Sequence, residues 1–224
     1  MRARVTTVAE MQLRELARRR LAIALLTALP LAFYAASAGH SPDAAITGGI
    51  AMAFSTAGVA VFSALAFGAV DERLALSGYR PAELLLGRLL ALEGFGLCIA
   101  GLFSAVIIAG TGPARPGLLV VGVIAVAVVS APFGLAVGEL VPRDLEATLV
   151  LIGIVGVQLT LGSDAGVAKA LPFWGADRLL DESLRSGGAV GDALFAAAAY
   201  TGALLVAALA LQARRVGIRI RRAE

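Results

Sequence analysis

Of the 224 residues, 59% are hydrophobic and 16% charged, and the mean hydropathy is +0.87. A soluble domain averages roughly 45–50% apolar and about 25% charged residues, so a soluble globular protein is excluded. The apolar residues come in long runs rather than in alternation, which excludes a membrane β-barrel and predicts an all-α integral membrane protein.

The formal charge of +3 comes from basic residues placed beside the apolar runs. That placement points to anionic lipid headgroups and topology rather than to nucleic acid. Cys98 is the sole cysteine and His40 the sole histidine. An internal disulfide is therefore impossible and no cysteine–histidine metal cluster is expected; Cys98 is expected to pack in a span and His40 to lie in a loop.

Residues 1–20 are amphipathic. Val5, Val8, Ala9, Leu13, Leu16 and Ala17 recur at helical spacing, and Glu10 with Arg14 and Glu15 with Arg19 form i,i+4 pairs. The pattern predicts an interface helix that acts as an elbow into the membrane, the alternative being a solvated basic leader. Span one is expected at 21–38. Ala36-Ser37-Ala38 has the look of a cleavage site, but an 18-residue apolar run exceeds the roughly 7–15 of a signal core. An uncleaved helix, bent at Pro30, is expected instead.

Span two is expected at 46–70, with Gly48, Gly49, Ser55, Gly58 and Gly68 permitting close helix contact. The segment 71–88, DERLALSGYRPAELLLGR, is charged and lies between two spans. Asp71, Glu72 and Arg73 close the span before it, and Ser77 to Pro81 forms a turn. Pro81 suits the first position of a new helix, and Glu83 meets the positive end of that helix's dipole. Span three follows at 89–110, then a Gly/Pro-rich turn at 111–116.

Span four is expected at 117–140. It holds Gly134 and Gly138 at GxxxG spacing, a flat face for a partner helix. A tight charged turn leads to span five at 145–162. Residues 163–192 mix both characters: Leu171, Phe173, Trp174, Leu179, Leu180 and Leu184 can line one side of one or two short helices, and Asp177, Arg178, Asp181, Glu182 and Arg185 the other. Trp174 belongs at a membrane–water interface. Span six, 193–212, completes a transmembrane domain of residues 21–213, and a basic tail occupies 214–224.

Six spans place both termini on one side. That side, with the 71–88 elbow and Arg143, holds fifteen of the nineteen Lys and Arg residues, and the positive-inside bias assigns it to the cytoplasm. Segment 163–192 then faces outward.

The chain has no phosphate-binding GxxxxGK[ST] loop, HExxH, CxxC or GxSxG. The candidate intramembrane polar residues are Glu93, Glu139 and Gln158. Acids at depth are costly and often functional. Both glutamates, however, stand about a turn from the ends of their spans, within reach of Arg88 or Arg143, and ion pairing is the favoured reading. Gln158 can bond across helices or line a path.

The order of parts, and above all DERLALSGYRPAELLLGRLL, resembles the type-2 ABC exporter permeases. Asp71, Glu72 and Arg73 match the family's acidic–basic cluster, and Pro81, Glu83, Gly87 and Arg88 match its entry into the third span. Leu74-Ala75-Leu76 stands where the family usually has a Gly-Thr/Ser. Leu171-Pro172 and the stretch after it are similar to the family's outer re-entrant helices.

The resemblance implies a permease subunit of an ATP-driven exporter in a bacterial cytoplasmic (inner) membrane, itself no enzyme. Segment 71–88 would be the coupling helix, with Asp71, Glu72, Arg73, Tyr79, Arg80, Pro81, Glu83 and Arg88 meeting a separate ABC ATPase subunit. ATP and Mg would be held by that subunit, and this chain would bind no cofactor or metal. A second permease copy, identical or not, would complete the path. Leu171, Pro172, Phe173 and Trp174 would form an outer gate, and the apolar spans suit a lipophilic or amphiphilic cargo. The alternatives are a small intramembrane lipid-modifying enzyme, a membrane scaffold, or the substrate-capturing subunit of a vitamin importer.

Overall fold

The computed structural model describes residues 2–41, 43–185, 188 and 190–223, without the side chains of Arg2, Ala69 and 216–223. Arg219, Arg221 and Arg222 of the tail therefore lie outside the described side chains, and Ser186, Gly187 and Ala189 of the 163–192 segment outside the described residues.

The described residues form nine α-helices and one 3₁₀ turn. These are α1 (Arg2–Arg18), α2 (Arg20–Ser37), α3 (Ala44–Ala66), α4 (Gly68–Leu76), α5 (Pro81–Thr111), α6 (Pro116–Leu140), α7 (Asp144–Leu161), the 3₁₀ turn (Gly166–Ala170), α8 (Trp174–Leu184) and α9 (Val190–Ala223). Six of them, α2, α3, α5, α6, α7 and α9, are long and apolar enough to cross a membrane. Helix α2 runs unbroken through Pro30.

The fold is built around the pair α3–α6, which make the most extensive contact in the molecule. Small residues explain it. Gly134 and Gly138 of α6 lie directly against Ala57, Ala60, Val61 and Ala64 of α3, so closely that a methyl group on either glycine would meet atoms within 2.7 Å. The GxxxG therefore joins two helices of the same chain, which lets backbones approach and dispersion contacts accumulate where lipid offers no hydrophobic drive. Helices α2 and α7 flank α3, α5 and α9 flank α6, and α8 closes one end between α3, α6 and α9. Phe133 of α6 and Phe173, just ahead of α8, stack edge to face there at 5.5 Å.

Several expectations need correction. The second span stops at Ala66 rather than at residue 70: the backbone turns at Phe67 and resumes as α4, so Asp71, Glu72 and Arg73 lie within a separate short helix instead of ending the span. Helix α5 runs from Pro81 to Thr111 without a break, so the second half of the elbow and the third span are one rod. On α1 the face that packs is Val5, Val8, Gln12 and Leu16, while Leu13 and Ala17 are exposed. The register is set by α5, whose Gly87 receives the backbone of α1, rather than by hydrophobicity alone. Cys98 is exposed on α5 and not a packing residue.

Candidate functional site

The two ends of the bundle differ in chemistry. The arginine-rich end carries α1, α4, the turn 77–80 and the junction of α6 with α7. The opposite, distal end carries residues 38–41, Asp43, the loop 112–115 and the segment 162–185.

At the arginine-rich end the turn is built locally. Gly78 adopts φ +85°, a conformation open to glycine at little cost, and Pro81 takes the first position of α5. Glu83 folds back so that the Arg80 backbone N–H donates to its Oε2 at 2.9 Å, one half of a capping box. Helix α1 then clamps the turn. The Arg4 guanidinium donates to the Gly78 carbonyl at 2.7 Å, lies 3.6 Å from Glu83 Oε2, and stacks 5.3 Å from the Tyr79 ring centre. Beneath it, a Cβ on Gly87 would stand 2.6 Å from Val8 Cβ and 2.7 Å from the Val5 carbonyl.

Gly87→Ala is therefore expected to lift α1 off α5, at a cost of about 1–3 kcal/mol for an overpacked contact. Limited trypsin digestion should then cut at Arg4 and Arg14 faster than in the wild-type chain. Equal rates would show that α1 is not held there.

Deeper in the same end lies a buried ion cluster. Arg88, 1% exposed, donates to Asp71 Oδ2 at 2.6 Å, and its Nη1 lies 3.7 Å from Glu139 Oε1. The other oxygen of Glu139 accepts from Arg215 at 3.0 Å. The Phe67 ring covers the guanidinium at 5.6 Å. The cluster ties α4, α5, α6 and α9 together. Its members are worth little one at a time in water, but removing a partner inside leaves a bare buried charge.

The eight elbow residues thus divide. Asp71, Glu83 and Arg88 are buried and shape the elbow. Arg73 and Arg80 are exposed, and Glu72, Tyr79 and Pro81 half-buried, with Leu76, Ser77 and Gly78 exposed among them. Glu139 has the partner expected of it in Arg88, together with Arg215, which nothing in the sequence near Glu139 signals. Arg143 bonds Glu146 instead. Glu93 is not paired with Arg88: that arginine turns toward α4 and α6, and Glu93 Oε2 is buried without a hydrogen-bond partner.

At the distal end α8 is not a surface helix with one solvated side. Asp177, Asp181, Glu182 and Ser183 are buried along with Leu179 and Leu180, because α3, α6 and α9 enclose the helix. Leu180 fits between Gly49 of α3 and Gly122 of α6, where a Cβ would meet it at 2.6 and 2.9 Å. Gln158 of α7 donates to Asp177 Oδ2 at 3.1 Å.

Burial pushes the Asp177 carboxyl up to about 7, the Gln158 hydrogen bond opposing and the nearby Asp181 charge adding to it. Asp181 is raised by burial too, against the Arg185 charge. Of the four expected gate residues, Phe173 is fully buried and Leu171, Pro172 and Trp174 are half-buried. The Trp174 indole N–H donates to the Ser163 carbonyl at 2.9 Å.

Charge patterning places Arg4 and Arg215 only in a basic leader and tail, and no local pattern marks them or Phe67 as partners of these sites. Among the described residues no group of three His, Cys, Asp or Glu is arranged to hold a metal ion.

These features define a multi-pass helical membrane protein with a braced polar elbow at one end and a buried acidic helix at the other. No protein-family model matches the chain, and no curated protein matches it significantly.

Proposed function

We propose that the chain is the permease subunit of an ATP-driven exporter of the type-2 ABC class. It moves a lipophilic or amphiphilic small molecule, lipid or peptide out of a bacterial cytoplasm by alternating access. In this reading the arginine-rich end and both termini are cytoplasmic, a separate ATPase holds ATP and Mg, and a second permease copy lies alongside.

The observation that carries the reading is the bracing of the elbow. A segment that only linked two spans would need no clamp. This one is gripped from outside by Arg4 of α1 and from inside by the cluster of Asp71, Arg88, Glu139 and Arg215. Its tip offers Arg73, Leu76 and Arg80 to a partner. Force applied at the tip passes into α5, a 31-residue rod about 46 Å long at 1.5 Å per residue, and through Glu139 into α6 and α9. That is the mechanical requirement for turning ATPase closure into a change of access.

Asp71, Glu83 and Arg88 take part by holding the elbow's shape, and the exposed residues by contact. Helix α3 is almost wholly enclosed, whereas α2 and α7 display Leu21, Leu25, Leu145 and Leu149. In this reading α2 and α7 are the helices that meet the second copy and line most of the path.

The test is co-expression with candidate ABC ATPases. Wild-type chain is expected to retain an ATPase through purification. In this reading the ATPase meets Arg73 and Arg80 with acidic groups, so Arg73→Glu with Arg80→Glu is expected to lower the retained ATPase at least about tenfold, like charges facing each other costing several kcal/mol, while the chain's own melting is unchanged. Retention of no ATPase by the wild-type chain, or equal retention by the double variant, would defeat the proposal.

A further inference from the structure

The distal end contains a cavity of about 390 Å³ between the start of α3, the end of α7 and α8. Four carboxylates line it: Asp43, Asp164, Asp177 and Asp181. Three already have cations. Arg185 bonds Asp43 at 3.2 Å and Asp181 at 3.0 Å, and Arg178 bonds Asp164 at 2.7 Å. Asp177 is different: among the described residues no cation lies within ion-pair distance of it, and Gln158 donates a hydrogen bond to its Oδ2.

Gln158 in turn is 1% exposed, and its Oε1 has no partner. A buried amide oxygen left unpaired costs free energy that a donor would recover. The cavity therefore presents one carboxylate without an ion-pair partner and one unpaired amide oxygen, on two residues joined by a hydrogen bond, with Ile46, Ile50 and Arg185 also on its wall. Gln158 Oε1 accepts, and so does Asp177 when ionised, so a ligand group that satisfies both is a donor and a cation. Among the described residues no three His, Cys, Asp or Glu side chains converge, which favours an organic cation over a divalent metal.

We propose that this cavity binds a primary ammonium carried on a short hydrocarbon, the nitrogen donating to Asp177 and to Gln158 Oε1 and the chain lying against Ile46 and Ile50. The bonds are charge-assisted N–H···O bonds of the stronger kind. The site is assigned on the chain alone, so it does not depend on any ATPase partner.

Trp174 supplies the readout. It is the sole tryptophan, and its indole is bonded to Ser163, itself on the cavity wall. Full-length chain in phosphatidylcholine nanodiscs is titrated with hexylammonium, hexanol and hexanoate while tryptophan emission is followed.

The expected result is a saturable change with hexylammonium, with hexanol and hexanoate at least about tenfold weaker. Asp177→Asn and Gln158→Leu should each weaken the ammonium at least about tenfold. The neutral Asn is close in shape to the half-protonated native group, so folding should survive it.

The charged groups acting on Asp177 are Asp181, Arg178 and Asp164, with Gln158 from α7, and Asp43 and Arg185 line the same cavity as a mutual ion pair. Ammonium affinity should rise about tenfold from pH 6 to pH 8 as Asp177 ionises. Nanodiscs containing phosphatidylethanolamine separate the two sources of such a group: competition with hexylammonium makes the ligand a lipid headgroup, and none makes it a free amine. Equal responses to hexanol and hexylammonium, tighter binding of hexanoate, or an unchanged response in both variants would each overturn the site.

Discussion

Arg88→Met is expected to lower the stability of the chain in detergent by about 3–5 kcal/mol, the usual consequence of leaving buried charges uncompensated. It should appear as a marked drop in the unfolding midpoint and in the monodisperse fraction after purification. The loss comes from what remains. Asp71 would be left buried without its 2.6 Å partner, and the Phe67 ring without the cation it covers. Glu139 would suffer less, because Arg215 stands 3.0 Å from its other oxygen.

That asymmetry sets the second half of the result. Adding Asp71→Asn to Arg88→Met removes the orphaned charge and should restore at least half of the lost stability, since apolar replacement of a whole buried pair is often neutral. Arg88 Nε and Nη1 lack hydrogen-bond partners already, so the native cluster is retained at some cost. The proposed function gives a reason to retain it. Under that proposal the restored double variant should still bind an ATPase but transport poorly, because α4 and α5 would no longer be tied to α6 and α9. Full transport by the double variant would show the cluster to be structural only. No rescue by Asp71→Asn would show that Asp71 is not the orphaned group.

The six spans were legible because each is a long apolar run, and the turn at Ser77–Pro81 because Gly78, Pro81 and Glu83 each have a local reason for their place. Which span lies at the centre was not legible from hydropathy. Helices α2 and α3 are both apolar, yet α2 is largely exposed and α3 enclosed. In a bilayer, lipid and protein neighbours are equally apolar, so side-chain size decides instead. Helix α3 is rich in Ala, Gly and Ser, whereas α2 carries more Leu. That contrast was readable in principle.

The buried acids of α8 were misjudged for a related reason. Asp177 and Asp181 are one turn apart beside the arc of Phe173, Ala176 and Leu180, a pattern identical to that of a surface helix. Only enclosure by α3, α6 and α9 makes them interior. Partners such as Arg4 with Gly78, 74 residues apart, and Glu139 with Arg215, 76 apart, exist only through the tertiary fold.

Gly134→Ala should be a damaging substitution, because the added methyl meets backbone. The new Cβ would lie 2.3 Å from the Ala57 carbonyl oxygen and 2.7 Å from Ala60 Cβ. Neither neighbour can rotate away, one being backbone and the other a Cβ. Helices α3 and α6 must then part by roughly 1 Å to reach ordinary contact, at a cost of about 1–3 kcal/mol. Gly94→Ala and Gly101→Ala, with nothing within 4 Å of the added methyl, are expected to leave the midpoint unchanged. They separate overpacking from any general effect of replacing glycine.

The damage should also travel. Leu180 of α8 is wedged between Gly49 of α3 and Gly122 of α6, so parting these helices loosens the wedge, and Trp174 at the start of α8 should change its emission. Helix α6 spans 25 residues, about 37 Å, with Glu139 of the ion cluster near one end and Gly122 under Leu180 toward the other. If Gly134→Ala shifts both the midpoint and the Trp174 emission, α6 acts as a single rod joining the braced elbow to the distal cavity. If the midpoint falls while the emission stays fixed, the two ends are mechanically separate, and access at the distal end cannot be driven from the elbow through α6.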